Sequence, residues 1–337
     1  MREFDEARFL SIQAGAAALG EPIAAAIEGL IETGATNLFF LGTGGAAILM
    51  QPAAHLLSAR SSFPVFAPLA AELVAGGSRH LGKGSIVVIP SLSGTTKESI
   101  AAMDYCRERG ATVITLVGHA DSPLGQGGDH VFVNFAEDDT SSESFYLQSL
   151  FIALSIMRRR GEFEGYASFA ADAHRLPEAL LAVKRRFDPE AEAFAERIKD
   201  TPWHIITGAG MVWPQAFYYG MCILEEMQWI RTRPVHASDF FHGTLELVEP
   251  GVSMILLKGE DEYRPLADRV EAFAADKTDR LTVFDSAGED LAGIAPATRA
   301  LVSPIVLATM LERVSDHLAR KRNHPLTTRR YYRRVAY

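Results

Sequence analysis

Residues 91–98 form a short stretch in which hydroxyl groups, a lysine and a glutamate stand close together. The side chains concerned are Ser91, Ser93, Thr95, Thr96, Lys97 and Glu98. Thr95 and Glu98 have the spacing of a capping box, which predicts that a helix begins at this turn. Free backbone N–H groups, the positive end of the helix and the hydroxyls would then converge on one anion, and phosphate suits such a site. An ordinary Ser/Thr-rich helix cap is the alternative.

A second turn, at residues 42–47, is rich in glycine and follows an apolar run. Its G-x-G-x-x-A pattern occurs in dinucleotide sites, but such a site also needs an acidic residue at the end of the second strand. Here the second predicted strand is followed by Ala67 and Pro68. We therefore expect no nicotinamide cofactor, and we expect Thr43 and Gly44 to line the same small ligand as the hydroxyl-rich stretch.

Glu226 is the candidate general base. In a helix, its neighbours three and four positions away are all apolar. They are Cys222, Ile223, Trp229 and Ile230. A carboxylate on an apolar stripe is expected to have a raised pKa, which suits a general base working near neutral pH. The alternative is a structural ion pair between Glu226 and Arg231 or Arg233.

His242 is the candidate proton shuttle. Two aromatic residues precede it, and Asp239, three positions earlier, could orient its ring if the segment is helical. His236 is the competing choice, and a packed, hydrogen-bonded histidine is the structural alternative. No metal-ligand spacing such as H-E-x-x-H joins these side chains, so we expect no metal site.

Short apolar runs alternate with helical stretches around these candidates, which predicts an α/β fold with parallel sheets covered on both faces. Single helices are expected over residues 4–32, 214–230 and 304–320. The pattern divides the chain into five parts. They are an N-terminal helix at 1–33, an α/β domain at 34–170, a bridging helix at 171–200, a second α/β domain at 201–325 and a C-terminal tail at 326–337.

Composition bears on the partners and location of the protein. The net charge of −9 makes nucleic acid a poor partner. Arginines alternate with tyrosines at 329–334, and we expect this tail to dock on its own or a neighbouring subunit, with RNA binding as the alternative. We identify no signal sequence and no apolar run of membrane-spanning length. With only two cysteines, Cys106 and Cys222, we expect a cytoplasmic protein with buried, reduced thiols.

Together, these motifs resemble the sugar isomerase (SIS) domain family over nearly the whole chain. Residues 91–98 resemble the S-x-S-G-x-T-x-E phosphate loop of that family. Glu226 and His242, sixteen residues apart, resemble the base and the ring-opening histidine in the isomerase half of glucosamine-6-phosphate synthase. The segments at 238–246, 257–261 and 324–337 resemble the fructosamine-6-phosphate deglycases more closely still.

The resemblance implies two doubly wound parallel-sheet domains of the flavodoxin-like or Rossmann-like three-layer type. It also implies a role for each matching residue. Ser91, Ser93 and Thr96 would hold phosphate, Thr43 would line the sugar, Glu226 would move the C1/C2 proton and His242 would open the ring. The implied reaction splits a phosphorylated Amadori compound, such as fructoselysine 6-phosphate, into glucose 6-phosphate and an amine, with neither a metal nor an organic cofactor.

Two other classes of function stay open at this point. One is an aldose–ketose phosphosugar isomerase or an amino-sugar phosphate deaminase, and the other is a non-catalytic sugar-phosphate sensor. Pocket detail rather than fold decides among them. In relatives the histidine comes from the facing subunit, so the resemblance implies a homodimer with shared active sites, or a higher oligomer built from it.

Overall fold

The computed structural model describes residues 1, 4–136, 141–332 and 334–335. The chain folds into two compact units. The first unit consists of Asp5–Glu178 and Gly293–Thr298, and the second of Met1–Phe4, Ala179–Ala292 and Arg299–Tyr337. The boundary after Glu178 falls inside a long helix that begins at Leu176, within the stretch for which the sequence predicts a bridging helix.

A five-stranded parallel sheet forms the centre of the first unit. Its strands are β1 (Asn37–Phe40), β2 (Val65–Phe66), β3 (Ser85–Ser91), β4 (Thr112–Val117) and β5 (His130–Val133). They lie in the order β2-β1-β3-β4-β5. Every residue of β3 is buried, as expected for a central parallel strand whose two faces are both covered.

Two consecutive helices of the first unit were predicted from the sequence as a single helix. The helices of this unit are α1 (Glu6–Ala18), α2 (Gly20–Glu32), α3 (Gly44–Ile48), α4 (Gln51–Arg60), α5 (Ala70–Gly76), α6 (Lys97–Glu108), α7 (Pro123–Gly127), α8 (Ser141–Arg159) and α9 (Tyr166–Ala173). The predicted single helix over residues 4–32 is wrong, because the chain turns at Leu19 between α1 and α2. A Cβ on Gly20 would lie 2.6 Å from the Phe151 ring, so this glycine allows α2 to approach α8.

The α1–α2 region corrects one statement about membranes. Within the described residues, Glu6–Glu32 is the one helical stretch that is long and apolar enough to cross a membrane, judged by length and composition alone. This stretch was not recognised from the sequence, because alanines and glycines, rather than large apolar side chains, make up much of it. Both helices pack against α8.

A four-stranded parallel sheet forms the centre of the second unit. Its strands are β6 (Trp203–Gly208), β7 (Arg231–His236), β8 (Met254–Lys258) and β9 (Leu281–Asp285). Their order, β7-β6-β8-β9, repeats the order β2-β1-β3-β4 of the first sheet. The sequence analysis did not predict β7, because its polar residues and Pro234 are typical of an edge strand rather than of a buried one.

The helices of the second unit differ from the predicted ones at two places. They are α10 (Leu176–Ile198), α11 (Trp213–Tyr218), α12 (Ala237–Phe240), α13 (Arg264–Ala275) and α14 (Pro296–Lys321). The helix predicted over 214–230 is wrong in its second half, since α11 continues as π-helical turns at Tyr219–Met227. Helix α14 starts earlier than predicted, because Pro304 lies inside it instead of in its first turn.

The two units confirm the predicted α/β fold with two doubly wound parallel sheets. Each unit has its own hydrophobic core, to which Val87 contributes in the first and Leu256 in the second. Both cysteines are buried thiols, as the sequence predicts. Burial raises the pKa of Cys106 to about 11, so this thiol stays protonated at neutral pH.

Candidate active site

The loop between β3 and α6 carries the hydroxyls predicted to bind phosphate. Ser91 ends β3 and is buried, and its Oγ accepts a hydrogen bond from the Gly94 N–H at 3.1 Å. The Oγ atoms of Ser91 and Thr96 lie 3.4 Å apart. On the outer side of the turn, the Thr95 hydroxyl donates to Ser93 Oγ at 3.0 Å. The loop thus gathers all four predicted hydroxyls within one turn of chain.

The start of α6 corrects one detail of this prediction. The helix begins at Lys97 with Thr96 as the N-cap, so the predicted capping box between Thr95 and Glu98 is wrong. The Thr96 side chain makes no capping hydrogen bond, and the first N–H groups of α6 therefore have no acceptor from the cap residue. Lys97 is exposed in the first turn. The positive end of α6 is consequently better disposed to receive an external anion than a capped helix would be.

Gly94 fixes the shape of this loop. Its φ of +64° lies in the left-handed region, and a Cβ there would lie 2.5 Å from Ser122 Cβ. Backbone hydrogen bonds hold the inner side of the loop, from Gly118 N–H to Leu92 O at 2.9 Å and from Leu124 N–H to Gly94 O at 3.1 Å. The loop is therefore a fixed frame for its hydroxyls.

The glycine-rich turn follows β1 at the same edge of the sheet. Because β1 and β3 are parallel neighbours, their carboxyl ends lie side by side at the point where the strand order reverses, and α/β sheets bind ligands at such a point. Thr43 is exposed there and makes no capping hydrogen bond to α3. Gly44 has a φ of +57° and open space where a Cβ would be. The topology thus sets this turn beside the hydroxyl-rich loop.

The corresponding edge of the second sheet holds a carboxylate of the chain itself. The strand order reverses between the parallel neighbours β6 and β8 as it does between β1 and β3. Asp261, after β8, is buried, and its Oδ2 accepts a hydrogen bond from the Met211 N–H at 2.7 Å in the turn after β6. A Cβ on Gly210, whose φ is +57°, would lie 2.6 Å from that oxygen. The Asp261 carboxylate therefore lies against the turn after β6, at this second crevice.

Glu226 lines a cavity of about 700 Å³ in the second unit. The cavity walls come from the end of the π-helical segment, from β7 and from the C-terminal segment. The lining residues are Glu225, Glu226, Trp229, Ile230, Arg231, Thr232, Arg329, Arg330, Tyr331 and Tyr332. Three arginines against two glutamates leave the lining with a formal charge of 3 − 2 = +1.

The surroundings of Glu226 differ from the predicted apolar stripe. Its side chain is 34% exposed, and Oε1 lies 2.9 Å from Nε of Arg329. The π-helical turns change which side chains share a face, and the C-terminal segment supplies a cation far away in sequence. The sequence analysis considered an ion pair with Arg231 or Arg233 instead. The Glu226 carboxylate is therefore partnered by a guanidinium group instead of being surrounded by apolar side chains.

His242 lines a separate cavity of about 530 Å³, to which Arg233 and Asp239 also belong. The His242 N–H donates to the Asp239 carbonyl at 2.9 Å. Helix α12 ends before His242, and among the described residues no hydrogen bond joins the Asp239 carboxylate to the His242 ring, so the predicted orienting contact is not formed. Within one chain, Glu226 and His242 therefore line different cavities.

His236, the competing candidate for the proton shuttle, makes structural contacts instead. Its Nδ1 accepts a hydrogen bond from the Ser238 N–H at 3.1 Å and caps α12. Its ring also lies edge-on to Trp213, with 5.5 Å between the ring centroids. Across the described ranges, no group of three or more His, Cys, Asp or Glu residues is arranged to hold a metal ion.

The C-terminal segment was not predicted to form a wall of the Glu226 cavity. Besides the contact of Arg329 with Glu226, the Arg330 guanidinium lies 4.2 Å from the centroid of the Trp229 ring. The sequence feature that pointed to this contact was the alternation of arginines and tyrosines at 329–334. It predicted that the tail docks on a subunit, but not where it docks. Residues 329–332 dock on the second unit of their own chain, beside the candidate base.

Comparison with known proteins identifies the family. The model of the SIS domain matches residues 33–158. Fructosamine deglycase FrlB of Bacillus subtilis (strain 168) is 31% identical over 311 residues, which cover 89% of this chain and 92% of that protein. The chain belongs to the SIS domain family. Fructoselysine 6-phosphate deglycase of Escherichia coli (strain K12) is 26% identical to this SIS-domain chain over 308 residues, covering 91% of the chain and 88% of the relative.

A solved structure shares the fold over nearly the whole length of this SIS-domain chain. It is that of a candidate phosphosugar isomerase from Salmonella typhimurium LT2, with a TM-score of 0.89 and 29% sequence identity. The match covers 94% of this chain and 97% of that one. The family resemblance found in the sequence motifs is thereby confirmed.

Proposed function

We propose that this chain is a cytoplasmic fructosamine-6-phosphate deglycase, which splits a phosphorylated Amadori compound into glucose 6-phosphate and an amine. The observation that carries the proposal is the Glu226 cavity. There a carboxylate beside a guanidinium stands among cationic and aromatic side chains, with about 700 Å³ of space. Similarity over 89% of the chain to fructosamine deglycase FrlB supports this choice among the activities of SIS-domain proteins.

In this proposal the substrate phosphate binds at the β3–α6 loop. The hydroxyls of the loop and the open end of α6 supply hydrogen-bond donors, and Lys97 adds a positive charge. The hydroxyl donors are Ser91, Ser93, Thr95 and Thr96. Thr43 and Gly44, in the neighbouring turn, line the sugar.

The reaction transfers a proton from C1 to C2 of the sugar. His242 protonates the ring oxygen of the bound ketosamine, so that the ring opens and C2 becomes a carbonyl. Glu226 then removes a C1 proton, the C1–H electrons form the C1=C2 bond, and the C2=O π electrons move to O2, which takes up a proton to give a 1,2-enaminol. The nitrogen lone pair next forms the C1=N bond while the C1=C2 electrons take up a proton at C2, which gives a Schiff base between C1 and the nitrogen. Water adds at C1 and the amine leaves, which yields the aldose phosphate. The C2 carbonyl of the substrate serves as the electron sink when C1 is deprotonated, and the substrate nitrogen donates its lone pair in the next step, so the substrate itself supplies both groups.

The proposal also includes a homodimer with two shared sites. Since Glu226 and His242 line different cavities of one chain, a second copy would supply the histidine at each Glu226 cavity. A general acid must come within hydrogen-bond reach of its substrate atom, and a facing subunit meets this need without rearranging either unit.

Mixing two inactive variants tests the roles and the shared site together. We expect Glu226→Gln and His242→Ala to fold normally and each to lose turnover. When equal amounts are refolded together, half of the dimers combine the two variants, and each such dimer has one intact site of two. The mixture should therefore recover about 25% of wild-type activity if the sites are shared. Normal activity of either variant alone would contradict its catalytic role, and no recovery would contradict the shared site.

A coupled assay for glucose 6-phosphate tests the reaction itself. The purified protein is offered a panel of fructosyl-amino acid 6-phosphates, and fructose 6-phosphate with and without ammonia. Release of glucose 6-phosphate from an Amadori compound, dependent on Glu226, is the expected result. Conversion of fructose 6-phosphate alone would instead indicate an isomerase, and binding without turnover of any compound would indicate a sensor.

A further inference from the structure

We propose that the Glu226 cavity contains a subsite for a carboxylate on the leaving amine, formed by Arg330 and Arg231. This inference rests on the proposed deglycase function. It names a preferred substrate class, namely Amadori 6-phosphates in which the sugar is attached to the α-nitrogen of an amino acid. In such a compound a carboxylate stands next to the reacting nitrogen, and the amino acid has no other α-ammonium group.

The charges in the cavity divide into engaged and available ones. Arg329 is engaged by Glu226, with 2.9 Å between Nε and Oε1. Glu225 is engaged by Thr232, whose N–H and hydroxyl both donate to Oε1, at 3.1 Å and 2.6 Å. Arg231 and Arg330 line the same cavity, and within the described residues neither forms an ion pair with a carboxylate. The two available charges are therefore both guanidinium groups.

Trp229 holds one of these guanidinium groups in place. The Arg330 guanidinium lies 4.2 Å from the centroid of the indole ring. An arginine stacked on an aromatic face keeps its N–H edge available for a carboxylate, which it can bind through two parallel hydrogen bonds. The stack thus orients Arg330 before a ligand arrives.

The backbone of Trp229 gives an independent indication of a ligand site. Its φ of +56° lies in the left-handed region, which is an outlier for so bulky a side chain, and the residue is 40% exposed. Strained backbone of this kind persists where the surroundings fix it, and it clusters at ligand-binding sites. Here the His324 ring lies edge-on to the indole with centroids 4.5 Å apart, so the indole contacts both His324 and Arg330.

The charge balance decides which amines the cavity prefers. With a formal lining charge of +1, and with both available groups cationic, the cavity attracts a carboxylate and repels an ammonium group. An α-linked amino acid brings the carboxylate alone. A lysine linked through its side chain brings a carboxylate together with a free α-ammonium group, so we expect it to be the poorer substrate.

A comparison of the kcat/KM values of three substrates tests whether this subsite exists. The substrates are the 6-phosphates of fructosylglycine, of N-methylfructosamine, which lacks the carboxylate, and of lysine linked through its side chain. We expect the wild type to prefer the glycine compound to the methylamine compound by about 10- to 100-fold, which is the usual effect of hydrogen bonds to a charged group. Arg330→Gln should reduce this ratio by a similar factor, and Arg231→Gln should reduce it in the same direction.

Arg109→Gln is the matched control. Arg109 also stacks on an aromatic ring of its own chain, 3.3 Å from the Tyr105 centroid, but it does not line the Glu226 cavity. The ratio should stay unchanged in this variant. Equal kcat/KM values for the glycine and methylamine compounds in the wild type, or an unchanged ratio in both cavity variants, would overturn the subsite and leave the deglycase function intact. Cleavage of none of the three compounds would overturn the deglycase function, and the subsite with it.

Discussion

Replacement of Gly94 by alanine tests whether the frame of the proposed phosphate loop depends on one glycine. Alanine at a φ of +64° costs about 1–2 kcal/mol of folding free energy, because its Cβ crowds the following carbonyl oxygen. The new Cβ would also lie 2.5 Å from Ser122 Cβ and closer still to its Oγ. Ser122 cannot turn away freely, since its hydroxyl donates to His119 O at 2.7 Å and accepts from the Gly125 N–H at 3.1 Å.

The expected loss follows from these two effects. Overlap with the fixed Ser122 side chain adds about 1–3 kcal/mol to this cost. Alanine also makes the unfolded chain less flexible, which offsets about 0.4–1 kcal/mol of the loss. We therefore expect Gly94→Ala to lower the free energy of unfolding by about 1–4.5 kcal/mol, measured by urea denaturation. The binding of inorganic phosphate, measured by calorimetry, should weaken as well, because the hydroxyls lose their frame.

Two further variants separate the causes. Gly29→Ala lies in α2, with nothing within 4 Å of the added Cβ, and it should stabilise the protein by about 0.5–1 kcal/mol. In the double-mutant cycle of Gly94→Ala with Ser122→Gly, the coupling energy should equal the overlap part of the loss. A Gly94→Ala protein as stable as the wild type, with unchanged phosphate affinity, would refute the reasoning.

Two further predictions concern stability. Burial, with smaller effects of Arg280 and Arg322, lowers the pKa of His204 from 6.5 to about 4, so the unfolded chain binds more protons between these pH values. As the pH falls from 7.5 to 5, protonation of His204 in the unfolded chain should lower the free energy of unfolding by about 2 kcal/mol. In His204→Gln, the decrease measured by urea denaturation should be smaller by this amount. Buried Asp172 accepts hydrogen bonds from the Ala295 N–H at 3.0 Å and the Thr298 hydroxyl at 2.7 Å. We expect Asp172→Ala to cost about 2–4 kcal/mol in urea denaturation, because two donors lose their partner.

The fold was predictable because its signals are local. Strands such as β3, with an unbroken apolar run, and helices such as α8, with a long regular pattern, are specified by neighbouring residues. The edge strand β7 has no such signal, because an edge position tolerates Arg231, Thr232 and Pro234. The turn at Leu19 was missed for a similar reason, since the close approach of Gly20 to Phe151 depends on tertiary packing.

The site was predictable only in part. The turn at residues 91–97 and the helix after it were predictable from one short segment, although the capping box predicted there does not form, and the topology of β1 and β3 explains why Thr43 lies at the same edge. The surroundings of Glu226 were not predictable, because its partner Arg329 lies 329 − 226 = 103 residues later. Helical spacing also failed there, since a π-helical segment does not keep the period of 3.6 residues.

The carboxylate of Asp261 makes the duplicated fold asymmetric in its capacity for ligands. A group attached to the chain competes at an effective concentration of about millimolar or more, without any supply from solution. The crevice between β6 and β8 thus already contains a carboxylate of the chain, and of the two crevices only the one between β1 and β3 is left for the phosphate of a ligand. In the second unit the anion at this crevice is the Asp261 side chain itself. We therefore expect one sugar phosphate to bind per chain.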